Sequence, residues 1–228
     1  AEVAETLGRG FMSLLEPAEP SRVTTDGPGG ENVLMRHSAA GSAAVVGLLL
    51  EQGAPPNTQD KDGNTALMRA AQGGHSVTVA LLLEGGADPN IQTKHGGTAL
   101  MHASFNGHED VVRRLLRSKA SPRLLDEYDG SALMRAANRG HIEVVKLILE
   151  ESSAIDRTYI LDLQHKHDGY TALMRAGLHG HVECVRELVR YGATLQVTSA
   201  GGKTVMTLVR EARELEVLKV LMAAGAKE

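Results

Sequence analysis

A five-residue phrase returns along this chain at a nearly fixed interval. The first four copies are 33 residues apart, the next follows after 40 residues, and the last after 33 more. The copies are Asn32–Arg36, Thr65–Arg69, Thr98–His102, Ser131–Arg135, Thr171–Arg175 and the altered Thr204–Leu208. A period of this length indicates supersecondary units that stack on one another, and it argues against one globular core. The functional question therefore concerns the surface of a stack, because the pattern implies no catalytic pocket.

One unit shows why the copies need each other. Residues 60–63 read Asp-Lys-Asp-Gly, which is turn chemistry, and Thr65 is a good helix N-cap. An alanine-rich helix is predicted over residues 66–72, where it is ended by glycines. A second helix is predicted over residues 76–84, followed by Gly85, Gly86 and an extended loop. Neither helix can bury its apolar side alone, so each depends on the next copy.

The repeated phrase resembles the ankyrin repeat, whose pattern is T-P-L-H-x-A, then G-H, a leucine run and G-A-D. The Gly-His pairs stand at 74–75, 107–108, 140–141 and 180–181, and Gly-Ala pairs at 53–54, 86–87, 192–193 and 225–226. The resemblance implies an all-α ankyrin solenoid of six helix-turn-helix repeats. The expected boundaries are about 28–59, 60–92, 93–125, 126–165, 166–198 and 199–228, and residues 1–27 form a degenerate cap or a linker.

The chain departs from the family pattern at two positions of the phrase. Alanine or valine replaces the proline, and methionine replaces the histidine at Met35, Met68, Met101, Met134 and Met174. In the family that histidine joins a hydrogen-bond ladder between repeats, so we expect the methionines to fill space instead and this ladder to be lost. The T-A-L-M-x-A variant resembles large ankyrin families of unicellular eukaryotes, whose arrays stand alone or accompany kinase domains, often near the cytoskeleton.

Composition narrows the setting and the class of partner. Hydrophobic residues make up 42% and aromatic residues only 3%, which suits thin helices packed through Ala, Leu and Val. The formal net charge of −4 gives no reason to expect a nucleic-acid partner. The lone cysteine, Cys184, predicts a reducing intracellular setting, either cytoplasmic or cytoskeletal. No apolar run approaches the length of a membrane span, so no membrane partner is expected.

The residues that could bind a metal or act in catalysis are better explained by structural roles. The four histidines of the Gly-His pairs are expected to be turn residues. His165 and His167 lack cysteine or carboxylate neighbours at ligand spacing, so no metal site is predicted. Cys184 lies within a predicted helix and is expected to be a small core residue. No Ser/His/Asp set emerges, so we expect a non-catalytic protein without a cofactor.

The residue after each methionine should face the concave groove that such a stack forms. This column reads Arg36, Arg69, His102, Arg135, Arg175 and Leu208. One interpretation is that the arginines make surface ion pairs of little energy with nearby acids such as Glu31, Asp62, Asp129 and Asp168. The other is a stripe that binds an acidic or phosphorylated segment of a partner protein, since arginine binds carboxylate and phosphate bidentately.

Aromatic residues favour repeats three to five as the centre of binding. Phe105 lies where other repeats carry small or polar residues, and Tyr128 and Tyr170 fall at turn tips. Arg139 and His179 stand just before the Gly-His pairs and should also face the groove. Aromatic residues and arginine are typical of interface hot spots. An alternative is that Phe105 only covers the neighbouring alanine-rich helix.

Two irregular features have both structural and functional interpretations. The 40-residue step hides seven extra residues between Glu151 and His167. They are predicted to form a longer loop folded onto its own repeat, with a partner-binding protrusion as the alternative. The third repeat also carries a basic cluster, which we interpret as a solvated face rather than a site for an acidic tail or nucleic acid. Its members are Arg113, Arg114, Arg117, Lys119 and Arg123.

The leading functional prediction is an adaptor or scaffold that binds a partner protein in the groove of repeats three to five. Two alternatives remain. One is a structural element of a cytoskeletal assembly that associates with tubulin. The other is the regulatory ankyrin region of a larger protein such as a kinase.

Overall fold

The computed structural model describes residues 29–226, and within them the secondary structure is entirely helical. Each repeat contributes an inner and an outer helix. The inner helices are α1 (Val33–Ala39), α3 (Ala66–Gln72), α5 (Ala99–Asn106), α7 (Ala132–Arg139), α10 (Ala172–Leu178) and α12 (Val205–Ala212). The outer helices are α2 (Ala43–Glu51), α4 (Ser76–Glu84), α6 (Glu109–Arg117), α8 (Ile142–Glu151), α11 (Val182–Arg190) and α13 (Leu215–Ala223). One further helix, α9 (Ala154–Leu161), lies between α8 and α10. The predicted cap or linker at residues 1–27 lies outside the described residues.

The recurring phrase starts each inner helix in the same way. Its first side chain accepts a hydrogen bond from the backbone N–H three residues later, as Thr65 does from Met68 at 3.3 Å. Asn32, Thr98, Ser131, Thr171 and Thr204 do the same. The predicted helices over 66–72 and 76–84 are confirmed. A cap of this kind stabilises a helix by about 1 kcal/mol, which matters for helices of two turns.

The core runs the length of the stack because each inner helix packs on the next inner helix and each outer helix on the next outer helix. The alanines of the phrase are fully buried, and the five methionines are at most 4% exposed. The methionines therefore fill the space between layers, as predicted. Leu208 is also buried, at 3% exposed, so the prediction that it faces the groove is wrong.

Histidines nevertheless connect the repeats, through a different column from the one that methionine replaced. Nε2 of His75 lies 2.9 Å from the carbonyl oxygen of Ala39 in the preceding repeat. His108, His141 and His181 make the same contact at 3.0 to 3.1 Å. Because a carbonyl only accepts, Nε2 must carry the proton in each case. The Gly-His histidines thus lie at turns, as expected, and also bond successive repeats.

Each ring in this column packs against a glycine of the preceding repeat. At Gly107, which has φ of +76°, an added Cβ would lie 2.6 Å from Nδ1 of His141. Both the left-handed backbone and the close ring favour glycine there.

Backbone hydrogen bonds also run from turn to turn along the stack. The N–H of Lys94 donates to the carbonyl of Asp62, and the N–H of Glu127 donates to that of His95, at 2.9 and 3.0 Å. The contact persists across the insertion, where Lys166 donates to Tyr128 at 2.8 Å. Repeat five therefore docks like the others despite the longer chain before it.

The extra residues after α8 fold as helix α9, so the prediction of a loop is wrong. Ser153 caps this helix by accepting from the N–H of Asp156 at 3.1 Å. Ile160 and Leu161 are buried, which supplies the burial that a short helix needs. The segment does pack against its own array. Ile155 remains 76% exposed at the start of the helix.

Candidate functional site

The turns and inner helices of the central repeats enclose two neighbouring clefts. The central cleft, of about 280 Å³, is lined by Phe105, Asp126, Gly130, Met134, Arg135, Asn138, His165 and Arg175. The third-repeat cleft, of about 230 Å³, is lined by Asp62, Asn64, Thr93, His95, Gly97, His102 and Arg135. Arg135 belongs to both clefts, so they form one groove across repeats two to five.

An aspartate in the turn binds the arginine of the phrase in three repeats. Nη2 of Arg69 donates to Oδ2 of Asp60 at 2.8 Å, and Nη2 of Arg135 donates to Oδ2 of Asp126 at 2.7 Å. The ion-pair interpretation is therefore correct in kind but wrong for Asp62 and Asp129 as the partners. Those two residues lie farther along the turn, whereas the first turn position is the one that meets the inner helix.

The fifth repeat makes the same pair with a different turn position. Asp168, named among the expected acids, accepts from Nη2 of Arg175 at 2.7 Å. It lies seven residues before its arginine, whereas Asp60 and Asp126 lie nine residues before theirs. Its other oxygen also lies 3.2 Å from Nδ1 of His165.

Each turn aspartate serves two purposes. Oδ1 of Asp60 accepts from the backbone N–H groups of Asp62 and Asn64 at 2.9 and 2.8 Å, which holds the turn. Oδ2 then holds the arginine of the inner helix. Burial opposes the charge of Asp60, but the hydrogen bonds from Asn64, Arg69 and Asp62 outweigh it and lower the pKa of that carboxyl.

These pairs leave most donors of each arginine unused. In Arg69, Arg135 and Arg175 the bond to the aspartate engages only Nη2, and the guanidinium has further N–H groups. Their side chains are 22 to 32% exposed, so the exposed guanidinium N–H groups can reach a partner in the groove, whereas Nε of Arg69 and Arg135 is buried. Arg36, on α1, is exposed and lines neither cleft.

The third repeat changes both members of the pair. Thr93 occupies the turn position of Asp60 and Asp126, and His102 occupies the arginine position. Nε2 of His102 is buried without a hydrogen-bond partner. Burial, with the charges of Arg135 and Arg69, lowers the pKa of His102 to about 4, so this histidine is neutral at pH 7.

Aromatic residues and arginines associate around the central cleft. The guanidinium carbon of Arg139 lies 4.3 Å from the centroid of the Phe105 ring, which is 37% exposed. The guanidinium of Arg175 lies 5.4 Å from the ring of Tyr170. These are cation–π distances, and such a pair is preformed and amphipathic. Phe105 therefore remains partly accessible from the groove.

Two further predicted residues, Tyr128 and His179, line neither cleft. Tyr128 is 45% exposed at a turn tip, with its ring 5.0 Å from that of His167 and 6.3 Å from that of His165. His179 is exposed after α10, and its ring lies 6.1 Å from that of His181.

Sequence reasoning missed Asp60, Asp126, Thr93 and His165 as groove residues. A signal existed for Asp60, Thr93 and Asp126, because they occupy the same turn position in repeats two, three and four. His165 gave no such signal, because it reaches the central cleft through the altered turn of repeat five.

A larger cavity of about 410 Å³ lies between outer helices α4 and α6 and contains three members of the basic cluster. Arg113 pairs with Glu109 at 2.8 Å, and Nε of Arg114 donates to Ser76 at 2.8 Å. Arg117 lies 4.0 Å from Glu151. These contacts satisfy the arginines locally, which supports the interpretation as a solvated face.

The His, Cys, Asp and Glu side chains of residues 29–226 are the groups that could carry metal or thiol chemistry. No group of three or more His, Cys, Asp or Glu side chains there is placed to hold a metal ion. Cys184 is buried as expected, and burial, then the charge of Glu183, raises the pKa of its thiol to about 11. Among the described helices, none has the length and apolarity required to cross a membrane.

Comparison with known proteins settles the family. A profile described as "Ankyrin repeats (3 copies)" matches residues 9–93, 34–126, 78–159 and 133–228. The chain belongs to the ankyrin-repeat family. No curated protein sequence is significantly similar to it.

Two solved ankyrin structures resemble the whole stack. The ankyrin-repeat protein EF0377 is 27% identical with a TM-score of 0.74, and the match covers 83% of this chain and 96% of that one. An ankyrin-repeat domain from Acinetobacter baumannii AYE is 27% identical with a TM-score of 0.76, covering 85% of this chain and 98% of that one. The all-helical ankyrin architecture predicted from the repeat is thereby confirmed.

Proposed function

We propose that this ankyrin array is a non-catalytic adaptor or scaffold that binds a partner protein in the groove of repeats three to five. Ankyrin arrays are in general protein-interaction modules. The observation that carries the proposal for this groove is the Phe105–Arg139 pair beside the central cleft, with Arg135 and Arg175 inside it. Exposed aromatic and arginine side chains around a cleft have the composition of an interface hot spot.

The charge of the groove supports an acidic or phosphorylated segment as the partner. Arg69, Arg135 and Arg175 are each held in place by an aspartate, so little conformational entropy is lost when their remaining donors bind. The aspartates lower the net positive charge, so direct hydrogen bonding contributes more than long-range attraction. The residues of repeats three to five are expected to contribute most of the binding energy. The full set of proposed contact residues is Arg36, Arg69, His102, Phe105, Tyr128, Arg135, Arg139, Tyr170, Arg175 and His179.

Cross-linking mass spectrometry after affinity capture tests this proposal, because it identifies the partner and the bound face together. Arg135→Glu should weaken the captured interaction by more than about tenfold, since the reversal places a second carboxylate beside Asp126 in the groove. The matched control is Arg186→Glu on α11, where the arginine is 56% exposed and pairs with Glu183 away from the groove. Circular dichroism should first establish that both variants are folded. Equal binding by both variants, or cross-links confined to the outer helices, would refute groove binding.

The alternatives from the sequence have separate tests. Co-sedimentation with polymerised tubulin tests the cytoskeletal role, and protein that remains in the supernatant argues against it. The reading frame upstream of Ala1 tests attachment to an enzyme such as a kinase. An intracellular setting, cytoplasmic or cytoskeletal, also remains a proposal and rests on the single reduced cysteine, Cys184.

A further inference from the structure

The third repeat keeps one function of the turn aspartate and lacks the other. In repeats two and four, Oδ1 of Asp60 or Asp126 holds the turn and Oδ2 binds an arginine. In repeat three the N–H of Gly97 donates to Oγ1 of Thr93 at 2.9 Å, so the turn is held in the same way. Threonine has no second oxygen, so the anionic group that repeats two and four have at this turn position is missing in repeat three.

Three groups around that position can donate hydrogen bonds. Oγ1 of Thr93 accepts from Gly97, which leaves its own O–H able to donate into the cleft. Nε2 of His102 has no partner in the structure, although it is buried. Arg135 lines the same cleft with guanidinium donors that its bond to Asp126 does not use. A buried imidazole nitrogen without a partner is costly, and a ligand that bonds to it removes that cost.

We propose that the third-repeat cleft is the seat for one carboxylate side chain, an aspartate or glutamate of the partner segment, which takes the place of the missing turn aspartate. This inference rests on the proposed groove function and specifies which repeat binds an acidic residue of the partner. The partner's acid then lies between Arg69 and Arg135 and extends the alternation of acid and base along the inner helices. A carboxylate is the group that the equivalent position holds in repeats two and four.

The other charged groups at the cleft set its pH response. Asp62 lies on its rim and opposes an anion, whereas His95 is already engaged by Glu127 at 2.9 Å. His102 is held neutral in the free protein by burial and by Arg135 and Arg69. A bound carboxylate stabilises the protonated ring and raises its pKa above the free-protein value of about 4, so binding takes up a proton and strengthens as the pH falls through that raised pKa toward about 4, for as long as the partner's acid stays ionised.

Acetyl-hexaglutamate amide is the probe for the first test, with acetyl-hexaglutamine amide as the neutral control. Histidine ring signals of the labelled full chain are followed by NMR during pH titrations with each peptide. We expect the glutamate peptide to raise the pKa of His102, and the glutamine peptide to leave it unchanged. If the pKa of His102 is unchanged at saturating glutamate peptide, the proposed carboxylate site is wrong. A rise produced only by a phosphoserine peptide would also overturn it, since that result assigns the cleft to phosphate.

The double variant Thr93→Asp with His102→Arg provides the second test. It rebuilds the pair that repeats two and four already contain, so it should fold, and its own aspartate should fill the seat. We expect its affinity for the hexaglutamate peptide to fall by about tenfold or more.

The variant Arg135→Gln separates this inference from the proposed function. If Arg135→Gln weakens peptide binding while the double variant binds like the original chain, the groove is functional and the seat is wrong. If neither variant changes binding, both the groove proposal and the seat fail.

Discussion

His102 should make the stability of this protein unusually sensitive to mild acid. Its ordinary pKa of 6.5 falls to about 4 in the folded chain, because the ring is buried and lies near Arg135 and Arg69. The unfolded chain therefore binds a proton at this histidine at higher pH than the folded chain does. Folded stability is complete above the unfolded value of 6.5 and is lost progressively as the pH falls toward the folded value.

The size of this effect follows from the two values. Each pH unit between them costs about 1.4 kcal/mol at 25 °C, so the loss attributable to His102 approaches about 3 kcal/mol near pH 4. That is a large part of the 5–15 kcal/mol stability that is typical of folded domains.

Urea unfolding followed by circular dichroism, repeated from about pH 7 to about pH 4, measures the effect. His102→Gln is the comparison, because glutamine is neutral at every pH and has a similar size. Carboxyls such as Asp60 are common to both proteins, so their protonation cancels in the difference. The original chain should lose about 3 kcal/mol more than the variant over this range. Parallel pH profiles for the two proteins would refute the burial and charge argument for His102.

Three further predictions concern the scaffold. Glu214 replaces histidine at the junction of repeats five and six, so Glu214→His should let its ring donate to the carbonyl of Leu178 and stabilise the chain by about 1 kcal/mol in urea unfolding. Gly107→Ala should destabilise the chain by more than about 2 kcal/mol, because the methyl group meets the ring of His141 at a positive φ. Cys184, with a thiol pKa of about 11, should react with a thiol reagent only as fast as the array opens, as a stopped-flow absorbance assay would show.

Each of these has a control within the chain. Glu214→Gln removes the same charge without supplying the ring, and equal gains from both variants would contradict the hydrogen-bond argument. Gly53→Ala shares a positive φ of +83° but meets nothing within 4 Å, so it should cost clearly less than Gly107→Ala. Reaction of Cys184 at the rate of a free thiol in the absence of urea would contradict its burial.

Most of the scaffold could be predicted because local chemistry and stacking agree. The N-cap at Thr65 and the glycines after residue 72 define a helix within one repeat, and the period then transfers that helix to every other copy. Helix α9 was missed because it has no counterpart in the period. Its signals are the cap at Ser153 and the burial of Ile160, and the burial becomes visible only when the neighbouring helices are in place.

The contacts of the groove were less predictable because they depend on which side chain of a turn points toward the inner helix. Both Asp60 and Asp62 are close to Arg69 in sequence, and only the folded turn shows that Asp60 is the partner. The pairing of Phe105 with Arg139 likewise joins side chains of two repeats, and no spacing rule within one repeat predicts it.

The turn-to-turn backbone hydrogen bonds show where this array tolerates inserted residues. The bond from Lys166 to Tyr128 spans 38 residues and the one from Lys94 to Asp62 spans 32, yet their lengths differ by only 0.1 Å. The alignment of each repeat on the preceding one is therefore set by these hydrogen bonds and not by the number of residues between them. Repeat five packs on repeat four in the usual way although α9 lies between them in sequence. The side chain of Ile155, exposed at the start of α9, is consequently a position where a label could be attached without contact with the repeats on either side.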